Sequence, residues 1–259
     1  MKKFIIAFIP FLLFLQPAFA DVFIQNDQPY IDDDGTLHIV GEIENNTNVP
    51  LNQIKITAKL LDGDGFQIGQ ISGEATTNVL MPGMNSGFDI IITGYDLHAI
   101  TNYDLEFDYK ITDPKNQAIE IISSELKNDG QGNLVISGML ENQGEITANM
   151  INVIATLYDR DGNVVAISNI RLQPDFLRAG DSTFFIVPIY EKSQAVHVVD
   201  YTLIAESDEY AAVPEFPLGS GALLIASVSS YICLLYTSPS PRDRGCSRMP
   251  SSAWKKKGG

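Results

Sequence analysis

The chain has 259 residues, with 17 Lys and Arg against 32 Asp and Glu, for a net charge of −15 at pH 7. Setting aside the six basic residues and one acid of 233–259, and the two lysines near the N-terminus, leaves 9 basic and 31 acidic residues, a net of −22. Such a surface repels phosphate backbones and anionic lipid, which excludes nucleic acid as a partner, and because Cys233 and Cys246 both follow residue 232, no disulfide framework holds the rest.

The first element is a processing segment. Lys2 and Lys3 precede an apolar run from Phe4 to Leu15, and Ala18-Phe19-Ala20 supplies a small-x-small pattern before Asp21. This predicts a signal peptide over 1–20, cleaved between Ala20 and Asp21. The run is short for a bilayer core. The mature protein is therefore expected outside the cytoplasmic membrane, secreted or at the cell surface.

From residue 35 the chain repeats itself. A shift of 97 residues aligns 35–69 with 132–166 without a gap, pairing Gly41 with Gly138, Asn45 with Asn142 and Asp64-Gly65 with Asp161-Gly162. The same shift pairs Phe88 with Phe185. Each copy reads as β-structure. Leu37, Ile39, Gly41 and Ile43 alternate with His38, Val40 and Glu42, a period of two with one apolar face. Ile54 to Leu60 alternates likewise, whereas its counterpart, Ile151 to Tyr158, is apolar on both faces and should be covered on both. Asn45-Asn46, Asp62-Gly63-Asp64-Gly65, Met81-Pro82-Gly83 and Asp161-Gly162 punctuate the runs as turns. The fold class predicted is all-β: two tandem immunoglobulin-like β-sandwiches, over 21–112 and 118–207, joined by a short junction at Asp113 to Gln117.

The stretch ISGMLENQGEITANMINVIATLYDRDGNVV, residues 136–165, resembles the FxLYD family of extracytoplasmic β-sandwich domains. The shared pattern is G-x-(V/L)-x-N, then (V/A)-T-L-Y-D-x-(D/N)-G. Copy two keeps it as Ala155-Thr156-Leu157-Tyr158-Asp159 and Asp161-Gly162. Copy one has Leu61 where the family has Tyr, and Lys59 where it has Thr. The resemblance implies prokaryotic surface or secreted proteins, no enzymatic activity and no catalytic residues.

Candidate chemistry is sparse. His38 is read as facing solvent from its strand, His98 as lying in a loop and His197 beside the last strand of copy two. None has a metal-ligand or nucleophile spacing around it. No catalytic residue and no cofactor is expected. Asp32, Asp34, Asp62 and Asp64 place carboxylates on turns where Ca²⁺ ligands could converge, though neither cluster continues as an EF-hand loop. Asn45-Asn46-Thr47 is a glycosylation sequon at Asn45.

Residues 208–219 read as a Pro-containing linker. Pro214-Glu215-Phe216, followed by the apolar stretch 220–232, is similar to the PEF-type sorting segment of archaeal surface proteins. That resemblance implies a membrane anchor and a sorting protease. The apolar stretch falls short of the roughly 20 residues a span takes, so the anchor reads as truncated. Cys233 to Asp243 back-translate as a transposase-type sequencing adapter, Ser247 to Ala253 as its far end, and Lys255 to Gly259 as poly-A and poly-G. Residues 233–259 are thus expected to be adapter-derived and without packed structure.

The function expected is a non-enzymatic structural or adhesive binding module, with cell-envelope proteins or glycans as partners. The alternatives are an extracytoplasmic protein that binds Ca²⁺ or a small solute through its acidic turns, and, at lower weight, a hydrolase.

Overall fold

Residues 21–214 are described by a computed structural model. The segments read as signal peptide (1–20) and anchor (220–232), Glu215 and Phe216, and the tail 233–259 lie outside the described residues. Among the described residues no helix is long and apolar enough to cross a membrane.

The first sandwich runs β1 (Val22–Ile31), β2 (Leu37–Asn45), β3 (Leu51–Leu61), β4 (Gln67–Glu74), β5 (Val79–Leu80), β6 (Asn85–Ile92) and β7 (Asn102–Ile111). One antiparallel sheet has the order β1-β2-β6; in the other, β4 and β5 pair one edge of β3 and β7 the other. The second sandwich runs β8 (Ile119–Asn128), β9 (Leu134–Asn142), β10 (Ala148–Asn149), β11 (Asn152–Tyr158), β12 (Val164–Arg171), β13 (Phe176–Leu177), β14 (Ser182–Pro188), the short helix α1 (Lys192–Ala195), β15 (Asp200–Glu206) and β16 (Val213–Pro214). Its sheets are β14-β9-β8 and β12-β11-β15-β16, with a small β10-β13 pair.

The offset of 97 holds from Val22 and Ile119 through all seven strand positions. It extends to conformation: Gln53 and Met150 both have positive φ, as do Gly35 and Gly132, Gly65 and Gly162, and Gly83 and Gly180. Four hairpins share one turn. Asp32, Asp62, Asp129 and Asp159 each accept two main-chain N–H groups, two and four residues on, while a glycine three residues on takes the left-handed conformation. At Asp129, the Asn133 side-chain amide and then the Asn133 and Gln131 N–H groups hold the carboxyl below the usual carboxylate range.

The buried asparagines are equivalent as well. Asn45 Nδ2 donates to the carbonyls of Val49 and Leu80, and Asn142 Nδ2 to those of Ile146 and Leu177, each at 2.8–2.9 Å. Each pins a loop to the opposite sheet. Asn142→Ala leaves both carbonyls without that donor and should cost about 2 kcal/mol, read as a lower urea midpoint at constant m-value. Asn45→Ala should cost a similar amount, and a loss under roughly 0.5 kcal/mol at both sites would show the bridges to be dispensable.

The two sandwiches pack face to face along one seam. The outer face of β1-β2-β6 meets the outer face of β12-β11-β15, and Ile154, Ile204 and Ala212 of the second copy join the core of the first. This explains why β11 is apolar on both faces, as its sequence predicts. It also corrects the reading of β2 as half-solvated: β2 is buried from His38 through Ile43 because the second sandwich covers its outer face.

The expected linker from 208 is a second correction. Residues 208–213 belong to the second sandwich: Tyr210, Ala211 and Ala212 are buried, and Val213 pairs with Ala205. Ser207 Oγ accepts from the N–H groups of Glu209 and Tyr210, turning the chain back. Ala211 then bridges to Gln117, whose Nε2 reaches the Ala212 carbonyl at 2.5 Å. The junction is thereby stitched to the chain's return.

Candidate functional site

The densest polar constellations lie on the outer face of β1-β2-β6. There Tyr30 (β1) stacks on His38 (β2), ring centroids 4.9 Å apart. His38 Nδ1 lies 2.8 Å from Asp89 Oδ1 (β6), and its Nε2 lies 3.3 Å from Asp32 Oδ2 in the β1-β2 turn. The imidazole is buried, contrary to the solvent-facing reading, because Tyr30 and two carboxylates enclose it. Burial, against the opposing pull of His38, pushes the Asp89 carboxyl above its usual value. Burial and the neighbouring carboxylates likewise raise the Tyr30 phenol. Asp33, in the same turn, accepts from the N–H groups of Lys192 and Ser193 at the start of α1. The cluster thus clamps the second sandwich to the first.

A second constellation sits within the seam. Tyr158 Oη, on β11, donates to Glu42 Oε1 of β2 at 2.5 Å and lies 3.1 Å from Thr202 Oγ1. Asn26 Nδ2 donates to the other Glu42 oxygen, and Gln28 Nε2 donates to the Val164 carbonyl. Burial, then the Glu42 charge, raises the Tyr158 phenol and keeps it a donor at neutral pH. Tyr158 is the residue that copy one replaces with Leu61, and its role here is a contact between sandwiches. Tyr158→Phe removes a donor from a buried carboxylate and should cost roughly 1–3 kcal/mol. In a Glu42→Met background the same change should cost much less, so equal costs in a double-mutant cycle would break the assignment.

The third is Glu206, at the end of β15, with its carboxylate accepting from the Asn78 N–H at 3.0 Å. It is 1% exposed. Burial pushes its carboxyl up to about 7, against the lowering influence of the Asn78 N–H and Lys115.

The residues singled out from the sequence fall elsewhere. Asp32 and Asp62 are engaged by their turns, and Asp34 accepts from the Thr36 N–H and hydroxyl. Asp64 stands in the Asp62 turn, where its N–H donates to Asp62. Among the described residues no group of three or more His, Cys, Asp or Glu is arranged to hold a metal ion. Glycosylation at Asn45 is corrected: its side chain is fully buried, with Nδ2 committed to two carbonyls and Thr47 donating to its Oδ1. Asp21 accepts from its neighbour Val22, while Ala20 lies outside the described residues. Pro214 pairs with Ile204 in β16; Glu215 and Phe216 are not among the described residues. His98 is exposed in a 3-10 turn, Leu97–Ala99.

Two open grooves mark the surface. One, of about 410 Å³, is lined by residues from Pro174 to Thr183; the other, of about 350 Å³, by Asp159, Arg160, Asp161, Val196, His197 and Val199. His197 is exposed there, beside carboxylates but with no hydroxyl or thiol nucleophile in the lining.

Glu42, Asp89 and Glu206 were not singled out by sequence reasoning. The available signal was an acid placed within an otherwise apolar strand, as in Ile39 to Ile43 and Leu203 to Glu206.

No family model matches the chain, and no curated relative does. Solved structures that it resembles include the exo-chitosanase of Amycolatopsis orientalis, at 12% identity and a TM-score of 0.28 over 76% of this chain and 26% of that one. Another is β-glucuronidase 2 of Bacteroides uniformis, at 12% identity and a TM-score of 0.26 over 74% and 27%. The chain thus spans about a quarter of each. Likeness of that size carries neither activity nor ligand across.

Proposed function

We propose that this chain is an extracytoplasmic, non-enzymatic structural or adhesive module of the cell surface, built from two FxLYD-like sandwiches and tethered through a PEF-type C-terminal segment. One observation carries the reading: the polar groups that resemble a reactive site are spent on one another or on joining the two sandwiches. Asp32, His38 and Asp89 satisfy one another, Asp33 caps α1, and Glu42 and Glu206 accept donors from across the seam. The leader-like segment 1–20 supports export. Strong negative charge supports solubility in an extracellular medium. The open sheet faces offer surface to envelope proteins or glycans.

Two measurements test it. Intact cells producing the chain are treated with a membrane-impermeant amine reagent, and labelling of the chain is expected. Purified chain is also sedimented with isolated cell envelopes, where co-sedimentation should survive calcium chelation. A chain that is unlabelled in intact cells but labelled after lysis would end the surface reading; Ca²⁺-dependent co-sedimentation would favour the acidic-turn alternative.

A further inference from the structure

The outer face of β8-β9-β14 carries four large apolar side chains in the open: Ile122 (52% exposed), Met139 (43%), Phe184 (56%) and Ile186 (48%). Phe184 pairs directly with Met139 across the ladder, and the next strand places Ser123 opposite Met139, one residue from Ile122. The four therefore form one patch spanning all three strands. Monomers rarely leave such a patch uncovered.

The internal repeat says what kind of surface covers it. Ninety-seven residues earlier stand Gln25, Glu42, Gly87 and Asp89, on the outer face of β1-β2-β6. That face is the seam. Glu42 takes the Tyr158 hydroxyl, and Gly87 lies so close to Ile167 that a Cβ there would stand 2.6 Å from its Cδ1. The first sandwich buries this face against a sandwich of its own kind. The second sandwich presents the equivalent face uncovered, and more apolar than the covered one.

Repeating the seam head to tail would require the outer face of β4-β3-β7 as the partner. That face carries Lys55, Lys59, Asp104, Glu106 and Asp108. Lys59 pairs with Glu106, but the three acids outnumber the two lysines, and covering Phe184 and Ile186 with this face would desolvate all five charges. The apolar face that does serve in the seam, through Ile154 and Ile204, is already occupied within the chain. The matching surface left is the patch itself.

We propose that the β8-β9-β14 face binds the same face of a second copy, giving a two-fold dimer closed on Phe184, Ile186 and Met139. Such an isologous contact closes at two copies and buries the same side chains on both sides. Glu120, Glu125 and Glu141 share these strands, and each partner carries a strong net negative charge, so salt should tighten the dimer. The association does not depend on where the protein resides.

The test is sedimentation velocity of the full chain over a concentration series, at low and high salt. A dimer at about 100 µM in high salt, weaker at low salt, is expected. Phe184→Asp should weaken it roughly 100-fold. Phe66→Asp, an equally conspicuous exposed aromatic on the first sandwich, should leave it unchanged. The wild-type chain gives a second readout that no misfolded variant can confuse: peroxide oxidation of Met139 should slow as concentration rises into the dimer range. A chain monomeric at high concentration and high salt overturns the proposal. So does a dimer that survives Phe184→Asp, dissolves on Phe66→Asp, or leaves Met139 oxidation independent of concentration.

Discussion

Between pH 4.5 and pH 7 the wild-type protein should lose roughly 3 kcal/mol of stability relative to its Glu206→Gln variant. The sign follows from where the proton resides. In the unfolded chain the Glu206 carboxyl ionises near 4.5; in the folded chain burial holds the proton up to about 7. Its stabilising contribution is complete below the unfolded value and disappears as pH rises through the folded one. Above that point the fold must hold a carboxylate at 1% exposure, supported by the Asn78 N–H and, more distantly, by Lys115. A glutamine side chain at this position has nearly the same shape, accepts the same N–H and does not titrate. Many other carboxylates repel one another as pH rises, so the raw pH dependence of the wild type is not diagnostic. The difference between the two proteins is, and it is measured from urea midpoints at a series of pH values. Parallel curves would show that water or rearrangement keeps Glu206 ionised at little cost.

The individual sandwiches were far more legible in the sequence than the contact between them. A period of two in Leu37 to Ile43, Asp-Gly turns and a repeat of constant offset all report on one copy at a time, through local geometry. Asp32, Asp62, Asp129 and Asp159 set their hairpins with their own side chains, so the turns could be read residue by residue. The seam left a weaker trace. Only the doubly apolar β11 announced a covering, and nothing local named β1-β2-β6 as the cover. His38 was misread for a related reason: alternation places it on the outer face, but does not show that the Tyr30 ring and the Asp32 and Asp89 carboxylates close over it there. Asn45 shows the converse failure. A three-residue sequon carries no information on burial, and here the asparagine spends both its amide hydrogens inside. Residues 208–213 looked like linker because Pro214 and Pro217 follow them, yet Ala211 and Ala212 are buried, Val213 pairs with Ala205, and Tyr210 anchors the segment against the 144–146 loop.

Gly138→Ala should destabilise the protein by roughly 3–5 kcal/mol, a large loss for the addition of one methyl group. The cause is space, since Gly138 is absent from the positive-φ residues. A Cβ there would stand 2.1 Å from the Ser123 carbonyl oxygen of β8 and 2.7 Å from Cζ of the buried Phe185. The carbonyl is main chain in the adjacent strand, where the pairing already shifts register between Ile121 and Ser123. Relief would therefore require β8 to move away from β9, breaking ladder hydrogen bonds rather than turning a side chain. Gly41 is the equivalent residue, with Phe88 Cζ at 2.7 Å and Asp27 Cβ at 2.8 Å. The Asp27 Cβ moves only with its own main chain, but it stands farther off than the Ser123 carbonyl oxygen does at Gly138, so Gly41→Ala should cost less, about 1–3 kcal/mol. Gly130→Ala, with nothing within 4 Å of its Cβ, should be close to neutral. Urea midpoints of the three variants test the ranking, and a Gly138→Ala protein no weaker than Gly41→Ala would break it. The G-x-(V/L)-x-N pattern then has a physical reading in each copy. The glycine lets an aromatic ring from β6 or β14 lie flat on the central strand, and the asparagine four residues on fastens the following loop across the core. Each is a solution to closing one sandwich, which is why both positions recur at the same offset, while the seam residue Glu42 is replaced at that offset by the exposed Met139.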